Sequence, residues 1–270
     1  MKEINLVIVG NLAYDTIKTK SIENKVYGGG AYYVASGASV FSKKVGLVSK
    51  FGKDHFKNEL EKLEICLDGV DLLKDKKTDR FFVENYEDNN QNIIEEISAG
   101  MEIKPMDIPS HYLEAKRIHL STMDPRKQIE IIKWLKKRSN ALISFNTCLE
   151  YIKENKKLIN QIIEKTDLAF LNKSEYDQLD KKPKNFVVTT GKDGAIAIIN
   201  GELHYNFPKK ALVKSTVGCG DVLTGSFLAL ISENKDFQTA LRSAVSIATI
   251  TSSIFGVENL ANLWRKNGLK

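Results

Sequence analysis

Short β-branched apolar runs alternate with stretches of helical period along most of the chain, and this alternation limits the fold more than any other feature. Ile4–Val9, Lys44–Ser49, Arg117–Leu120, Ala141–Phe145, Leu168–Leu171 and Phe186–Thr190 read as strands, short and apolar enough to be buried on both faces. Helical patterns lie between them at Ala31–Ser42, His55–Leu63, Arg126–Arg138, Leu149–Lys165 and Ser174–Leu179; Val222–Ile231 and one or two helices beyond Asp236 follow. A strand that joins a parallel neighbour needs a crossover of about a dozen residues or more, which a helix supplies. The succession therefore predicts an α/β protein with a mostly parallel sheet and helices on both faces.

Two stretches break the rhythm, Thr16–Val26 and Lys77–Ala99. In the second, Arg80–Val83 and Ile93–Ile97 flank a polar turn at Glu87–Asn90, a pattern of antiparallel strands outside the main sheet. They predict a small β lid, from about 16–27 and 77–99, over the carboxyl edge of the sheet. With five prolines and no low-complexity linker, residues 1–270 are expected to form one domain.

The net charge of +6 comes from scattered residues, mostly lysine. Neither Lys133–Arg138 nor Lys181–Lys184 clusters arginines or interleaves aromatics, so no nucleic-acid partner is expected. Cys66, Cys148 and Cys219 are odd in number and widely spaced, which signals neither a disulfide framework nor a zinc motif and suits a reducing compartment. No secretory h-region and no run of about 18 apolar residues occurs, so the expectation is a cytoplasmic protein without a membrane partner.

The sharpest motif is Ser215-Thr216-Val217-Gly218-Cys219-Gly220-Asp221, leading straight into an apolar helix. Gly218 and Gly220 permit a tight turn and close approach of a ligand, and the amides of a helix start favour an anion. Asp221 reads equally as an ordinary cap after a glycine turn. Gly28-Gly29-Gly30 suits a hinge, or backbone lying against a substrate. Asn172 and Glu175, three apart at a helix start, either form a capping box or offer an amide oxygen and a carboxylate to a hydrated magnesium ion. Thr189–Gly194 leaves a strand into a turn with hydroxyls, glycine and lysine that suits phosphates, although no Walker spacing exists. Asp15 follows the first strand, where ligands of open α/β sheets bind.

Together these residues resemble the ribokinase-like, phosphofructokinase-B type carbohydrate kinase family over essentially the whole chain. Thr216-x-Gly218-Cys219-Gly220-Asp221 is similar to the family's Asp-Thr-x-Gly-Ala-Gly-Asp signature; Asp15, the glycine run, Asn172-x-x-Glu175 and Thr190-Gly191-x-x-Gly194 support it. The resemblance implies a three-layer α/β/α sandwich with a β lid, and transfer of the ATP γ-phosphoryl group to a hydroxyl of a sugar or similar alcohol. It implies Asp221 as general base and the amides of Gly218, Cys219 and Gly220 as the cradle of the transferring group. It further implies Asn172 and Glu175 around Mg2+, Thr190, Gly191, Gly194 and Thr216 beside the nucleotide, and Asp15, Gly28, Gly29, Gly30 and Tyr33 around the acceptor.

The departures bear on mechanism and substrate. Ser215 stands where many relatives carry an aspartate of a monovalent-cation site, and Asn146 where they often have aspartate. Cys219 replaces alanine, either as a packed small residue or as a thiol acidified by the helix start. Gly30-Ala31-Tyr32-Tyr33 with Thr78, Phe81, Tyr86 and Gln91 is similar to the inositol kinase branch, which favours a cyclitol acceptor. The alternatives are ribose, fructose or a nucleoside, whose base Tyr32, Tyr33 and Phe81 could stack upon. A catalytically silent regulator on the same scaffold would be expected to lack Asp221 or the loop glycines. An exposed β lid leaves both monomer and homodimer open.

Overall fold

The computed structural model describes residues 3–19, 22–85 and 91–267. The chain enters through β1 (Leu6–Val9) and leaves the main sheet at once for a hairpin, β2 (Ala13–Lys18) and β3 (Glu23–Gly28). It returns through α1 (Gly30–Ser39), β4 (Val45–Gly52), α2 (Lys57–Glu61) and β5 (Cys66–Leu73), then departs again for β6 (Asp79–Asn85) and β7 (Gln91–Glu96). Alternating elements follow: β8 (Arg117–Leu120), α3 (Pro125–Leu135), β9 (Leu142–Asn146), α4 (Leu149–Glu154), α5 (Lys156–Lys165), β10 (Leu168–Asn172), α6 (Lys173–Gln178) and β11 (Phe186–Thr189). The hairpin β12 (Ala195–Ile199) and β13 (Glu202–Asn206) precedes α7 (Cys219–Ser232), α8 (Phe237–Ser252) and α9 (Leu260–Asn267).

The main sheet has the order β13-β12-β11-β10-β9-β8-β1-β4-β5, parallel from β11 to β5, with β12 and β13 antiparallel at one edge. Because strand side chains alternate, β1 splits its apolar residues between two cores. Leu6 and Ile8 join Val34, Leu223 and Phe227 under α1 and α7; Val7 and Val9 join Ile118, Ile131 and Ile162 under α3 and α5. The order reverses around β1, whose neighbours β4 and β8 lie far apart in sequence, so the carboxyl ends of β1, β8 and β9 open onto a topological switch point. The second sheet, β3-β2-β6-β7, is the expected lid.

Several expectations change in detail. The lid hairpin runs from Ala13 to Gly28 rather than from Thr16 to Val26, and β2 pairs with β6 in parallel. The turn at Glu87–Asn90 and Tyr86 lie outside the described residues, as does the side chain of Gln91. The helix expected over Leu149–Lys165 breaks at Asn155 (φ −127°, ψ 36°) into α4 and α5. That expected over His55–Leu63 shrinks to Lys57–Glu61, because Phe56 turns inward against Phe51 and Tyr32. β5 and the β12–β13 hairpin were not anticipated. The hairpin turn is Asn200-Gly201, both at positive φ (54° and 84°), the two-residue signal that matches strand twist. No described helix is long and apolar enough to cross a membrane.

Candidate active site

Gly218 caps α7 in the left-handed region, φ 75°, where a side chain is strained; a Cβ there would also lie 2.6 Å from Cδ1 of Tyr33. The loop thus turns sharply over the Tyr33 ring and delivers Asp221 into the first turn of the helix. A Cβ at Gly220 would meet no described residue within 4 Å, so this side of the helix start is open to a ligand. The Cys219 amide is already committed, donating to the Thr216 carbonyl oxygen at 3.2 Å, which leaves the anion cradle to its neighbours and corrects the expectation for that amide. Burial, with the nearby Asp221 charge, pushes the Cys219 thiol up to about 12. Cys219 is a packed small residue and not an acidified thiol.

Asp221 accepts a hydrogen bond from Asn146 Nδ2 at 2.6 Å on its Oδ1. A Cβ built on Gly30 would lie 3.8 Å from the same oxygen, so the glycine run passes directly beside the carboxylate. Burial raises the Asp221 carboxyl to about 7; the Asn146 hydrogen bond opposes this and the charge of Asp15 adds to it. A carboxylate poised there can take a proton from a hydroxyl near neutral pH. Behind Asn146, at the end of β9, lie two side chains that local sequence did not mark. His119 Nδ1 is 3.0 Å from Ser144 Oγ, and its ring faces the Asn146 amide. Burial lowers His119 to about 3, so it is neutral.

Asp15 reaches the cleft from the lid. Its Oδ2 accepts from the Tyr33 hydroxyl at 2.7 Å and from the Gly29 amide at 3.4 Å, while burial raises the group to about 6. Gly28 must lack a side chain because a Cβ would overlap the Asp15 carboxylate. Tyr33, 3% exposed, therefore touches the site through Asp15 and the Gly218 turn, and does not present its ring. Tyr32 is fully buried against Phe56 and cannot stack on a base. Four buried polar atoms here have no partner among the described residues: Asp15 Oδ1, Asn11 Oδ1 and Asp79 Oδ2, the last two side by side at Gly100, and Ser121 Oγ beside Gly30. Three of these are obligate acceptors, an environment that asks for hydroxyl or amide donors from a ligand. Asn11 and Ser121 follow the ends of β1 and β8, so the switch-point rule could have flagged them.

At the other end, Asn172 and Glu175 form a complete capping box: the Glu175 amide donates to Asn172 Oδ1 at 2.9 Å and the Asn172 amide to Glu175 Oε2 at 2.8 Å. Burial pushes Glu175 up to about 8, with the charges of Asp221 and Glu150 adding to the rise. The box uses Asn172 Oδ1 and Glu175 Oε2, which leaves the second Glu175 oxygen as the donor that could take a magnesium ion and relieve that crowding. Thr190 turns its hydroxyl to the Gly194 carbonyl oxygen at 3.0 Å, and Gly194 is required because a Cβ would overlap the Asn206 carbonyl oxygen. Both residues hold the β11–β12 turn. Gly191, φ 61°, would bring a Cβ near no described residue and is the open member of that motif.

A mostly parallel sheet under a β lid thus brings one carboxylate at a glycine-turned helix start together with a second on the lid, at the strand ends where open α/β sheets bind ligands. The sequence model of the pfkB family carbohydrate kinase matches residues 4–262, and the chain belongs to that family of kinases. It is 29% identical to the cytidine kinase of Thermococcus kodakarensis, over 88% of this chain and 92% of that protein. In structure it resembles a nucleoside kinase of Burkholderia thailandensis in complex with inosine (TM-score 0.84, 17% identity, 98% of this chain and 99% of the other). It also resembles the ribokinase of Cryptococcus neoformans in complex with ADP (TM-score 0.83, 16% identity, 98% and 100%).

Proposed function

We propose that the protein is a nucleoside kinase that uses ATP and Mg2+, with Asp221 as its general base. The observation that carries the reading is the pairing of two buried carboxylates with different environments, Asp221 at the anion-binding helix start and Asp15 amid acceptors that lack partners. The ribose of a nucleoside offers donor hydroxyls to Asp15 Oδ1, Asn11 Oδ1 and Asp79 Oδ2. Phe81 lies opposite Asp15 in the parallel β2–β6 register, hence on the same face of the lid, and is half-buried. Among the described residues it is an aromatic available to the base, in place of Tyr32 and Tyr33. The likeness to proteins named for cytidine and nucleosides supports this acceptor over the cyclitol that the sequence favoured.

Asp221 takes the proton of the acceptor hydroxyl as its oxygen bonds to phosphorus and the bond from phosphorus to the departing nucleoside diphosphate breaks. Asn146 steadies the ionised form of Asp221, and Tyr33 fixes Asp15 against the acceptor. The open amide side of Gly218 and Gly220 faces the negative charge of the transferring group. Glu175 and Asn172 stand near where Mg2+ would neutralise phosphate charge. The lid keeps water from competing as acceptor. The test is turnover with ATP and Mg2+ against cytidine, adenosine, inosine, ribose, fructose and myo-inositol, with Asp221→Asn as the blank. Nucleoside-dependent ADP release, with a KM that rises on Phe81→Ala, is expected; turnover of myo-inositol alone would overturn the acceptor.

A further inference from the structure

At the amino-terminal end of the parallel strands, the end opposite the cleft, three side chains of different chemistry converge. Cys66 and Asp68 stand at the start of β5, and His111 on the short 3-10 turn Ser110–Glu114 that crosses it. The Cys66 sulfur, an Asp68 oxygen and a His111 ring nitrogen all lie within 4.8 Å of one another. We propose that Cys66, Asp68 and His111 form a binding site for a borderline-soft divalent cation of the zinc class, separate from the magnesium of catalysis.

The geometry is close to what such an ion requires. Two ligands about 2.0–2.1 Å from a tetrahedral zinc stand about 3.4 Å apart. His111 Nε2 and Asp68 Oδ2 are separated by 3.4 Å. A sulfur bound at about 2.3 Å sits about 3.6 Å from a nitrogen or oxygen ligand, so the Cys66 sulfur closes by at most about 1.2 Å, within the reach of a χ1 adjustment.

The scaffold is built to hold the three donors. The β4–β5 register shifts between Gly46 and Val48, opposite Cys66–Gly69, and such irregularities re-aim side chains. Tyr112 is fully buried and donates its hydroxyl to the Cys66 carbonyl oxygen at 3.0 Å, tying the His111 turn to β5. The His111 ring rests edge-on against the Tyr112 ring, centroids 4.7 Å apart, which limits its rotation. The three donors open onto a concavity of about 470 Å³ that Lys57 and Glu61 also line, leaving a fourth position for water. A surface Asp–His ion pair accounts for Asp68 and His111 alone and contributes little. It does not involve the Cys66 thiol, which stands at the same point beside the Tyr112 hydroxyl. His111 lies 43 residues from Asp68 and 45 from Cys66 in sequence, which is why no spacing motif announced the three together.

Binding replaces the proton on Cys66 by the metal: the S–H bond breaks, the sulfur–metal bond forms as a metal-bound water leaves, and the proton passes to buffer with no change of oxidation state. Thiolate and imidazole select zinc or cobalt over magnesium, so the site is readable in a kinase that needs magnesium.

The test is titration of the chelator-treated full chain with Co2+ under anaerobic conditions, followed by the near-ultraviolet thiolate-to-cobalt charge-transfer band and displaced with Zn2+. One Co2+ per chain is expected, with a band that persists in Asp221→Asn and in Cys148→Ser and is lost in Cys66→Ser. His111→Ala and Asp68→Asn are each expected to weaken Co2+ binding about tenfold or more. Absence of the band at stoichiometric Co2+, or a band that survives Cys66→Ser, overturns the site. If Cys66→Ser fails to fold by circular dichroism, unchanged Co2+ affinity in both His111→Ala and Asp68→Asn overturns it equally.

Discussion

Replacing Asn146 by leucine tests whether Asp221 is held ready by its neighbour. The substitution keeps approximate size and removes the donor Nδ2, which lies 2.6 Å from Asp221 Oδ1, along with the amide's contact to neutral His119. A hydrogen bond to a charged acceptor contributes about 1.5–3 kcal/mol, and one pKa unit corresponds to about 1.4 kcal/mol, so Asp221 rises by about one to two units. From about 7 it moves to about 8 or 9. At pH 7 the ionised fraction then falls from about one half to between about one in ten and one in a hundred, and kcat falls about 5- to 50-fold. Other groups that bear on Asp221 are Asp15, Tyr33, Cys219 and Glu175, and the substitution leaves all four in place. The assay is kcat against pH at saturating nucleoside, ATP and Mg2+, from about pH 6 to about pH 10. The acid limb of the variant is expected to shift upward and its rate to approach that of the wild type at the alkaline end. A kcat lowered equally at every pH, with the acid limb unmoved, refutes the assignment of Asn146 and Asp221 to these roles.

Three further outcomes follow from the same geometry. Tyr33→Phe removes the 2.7 Å donor from a buried carboxylate and is expected to raise the acceptor KM about tenfold with a smaller effect on kcat; steady-state kinetics with KM and kcat unchanged would contradict it. Gly28→Ala drives a Cβ into the Asp15 carboxylate, so acceptor KM rises while nucleotide affinity, measured by calorimetry, stays as in the wild type. Glu175 has a folded pKa of about 8, above its unfolded value of about 4.3, so its ionisation costs stability as pH rises between these values, and the cost is full above them. Metal-free Glu175→Gln should therefore melt higher than the wild type at pH 9 and no higher near pH 4; equal melting temperatures at both would mean that Glu175 is not strained by burial.

How much of this was legible in sequence depends on how local each cause is. β1, β8, β9, β10 and β11 are buried on both faces, which leaves continuous apolar runs with no competing period. β5 is an edge strand whose run Cys66–Leu73 mixes two aspartates with apolar residues, so nothing separates it from a loop. Asp221 and Gly218 were visible because a turn and a helix start are features of a few consecutive residues. Asn146, His119, Asn11 and Ser121 come to one region because β1, β8 and β9 are neighbours in the sheet, a fact of topology that no spacing encodes. Tyr32 and Tyr33 misled because α1 is apolar nearly all round: adjacent aromatics on such a helix are core, one against Phe56 and the other against Asp15 and Gly218. The lid carries the same lesson into specificity. Asp15 and Phe81 stand 66 residues apart and share a face only because β2 and β6 pair in parallel, and a parallel pair requires a long crossover, which here runs through β3, α1, β4 and β5. The ribose and base contacts proposed above would thus be joined by a strand pairing and not by a motif. On the proposed reading, a substitution in β6 would change acceptor preference without touching the Gly218–Asp221 turn, because the two lie on separate elements.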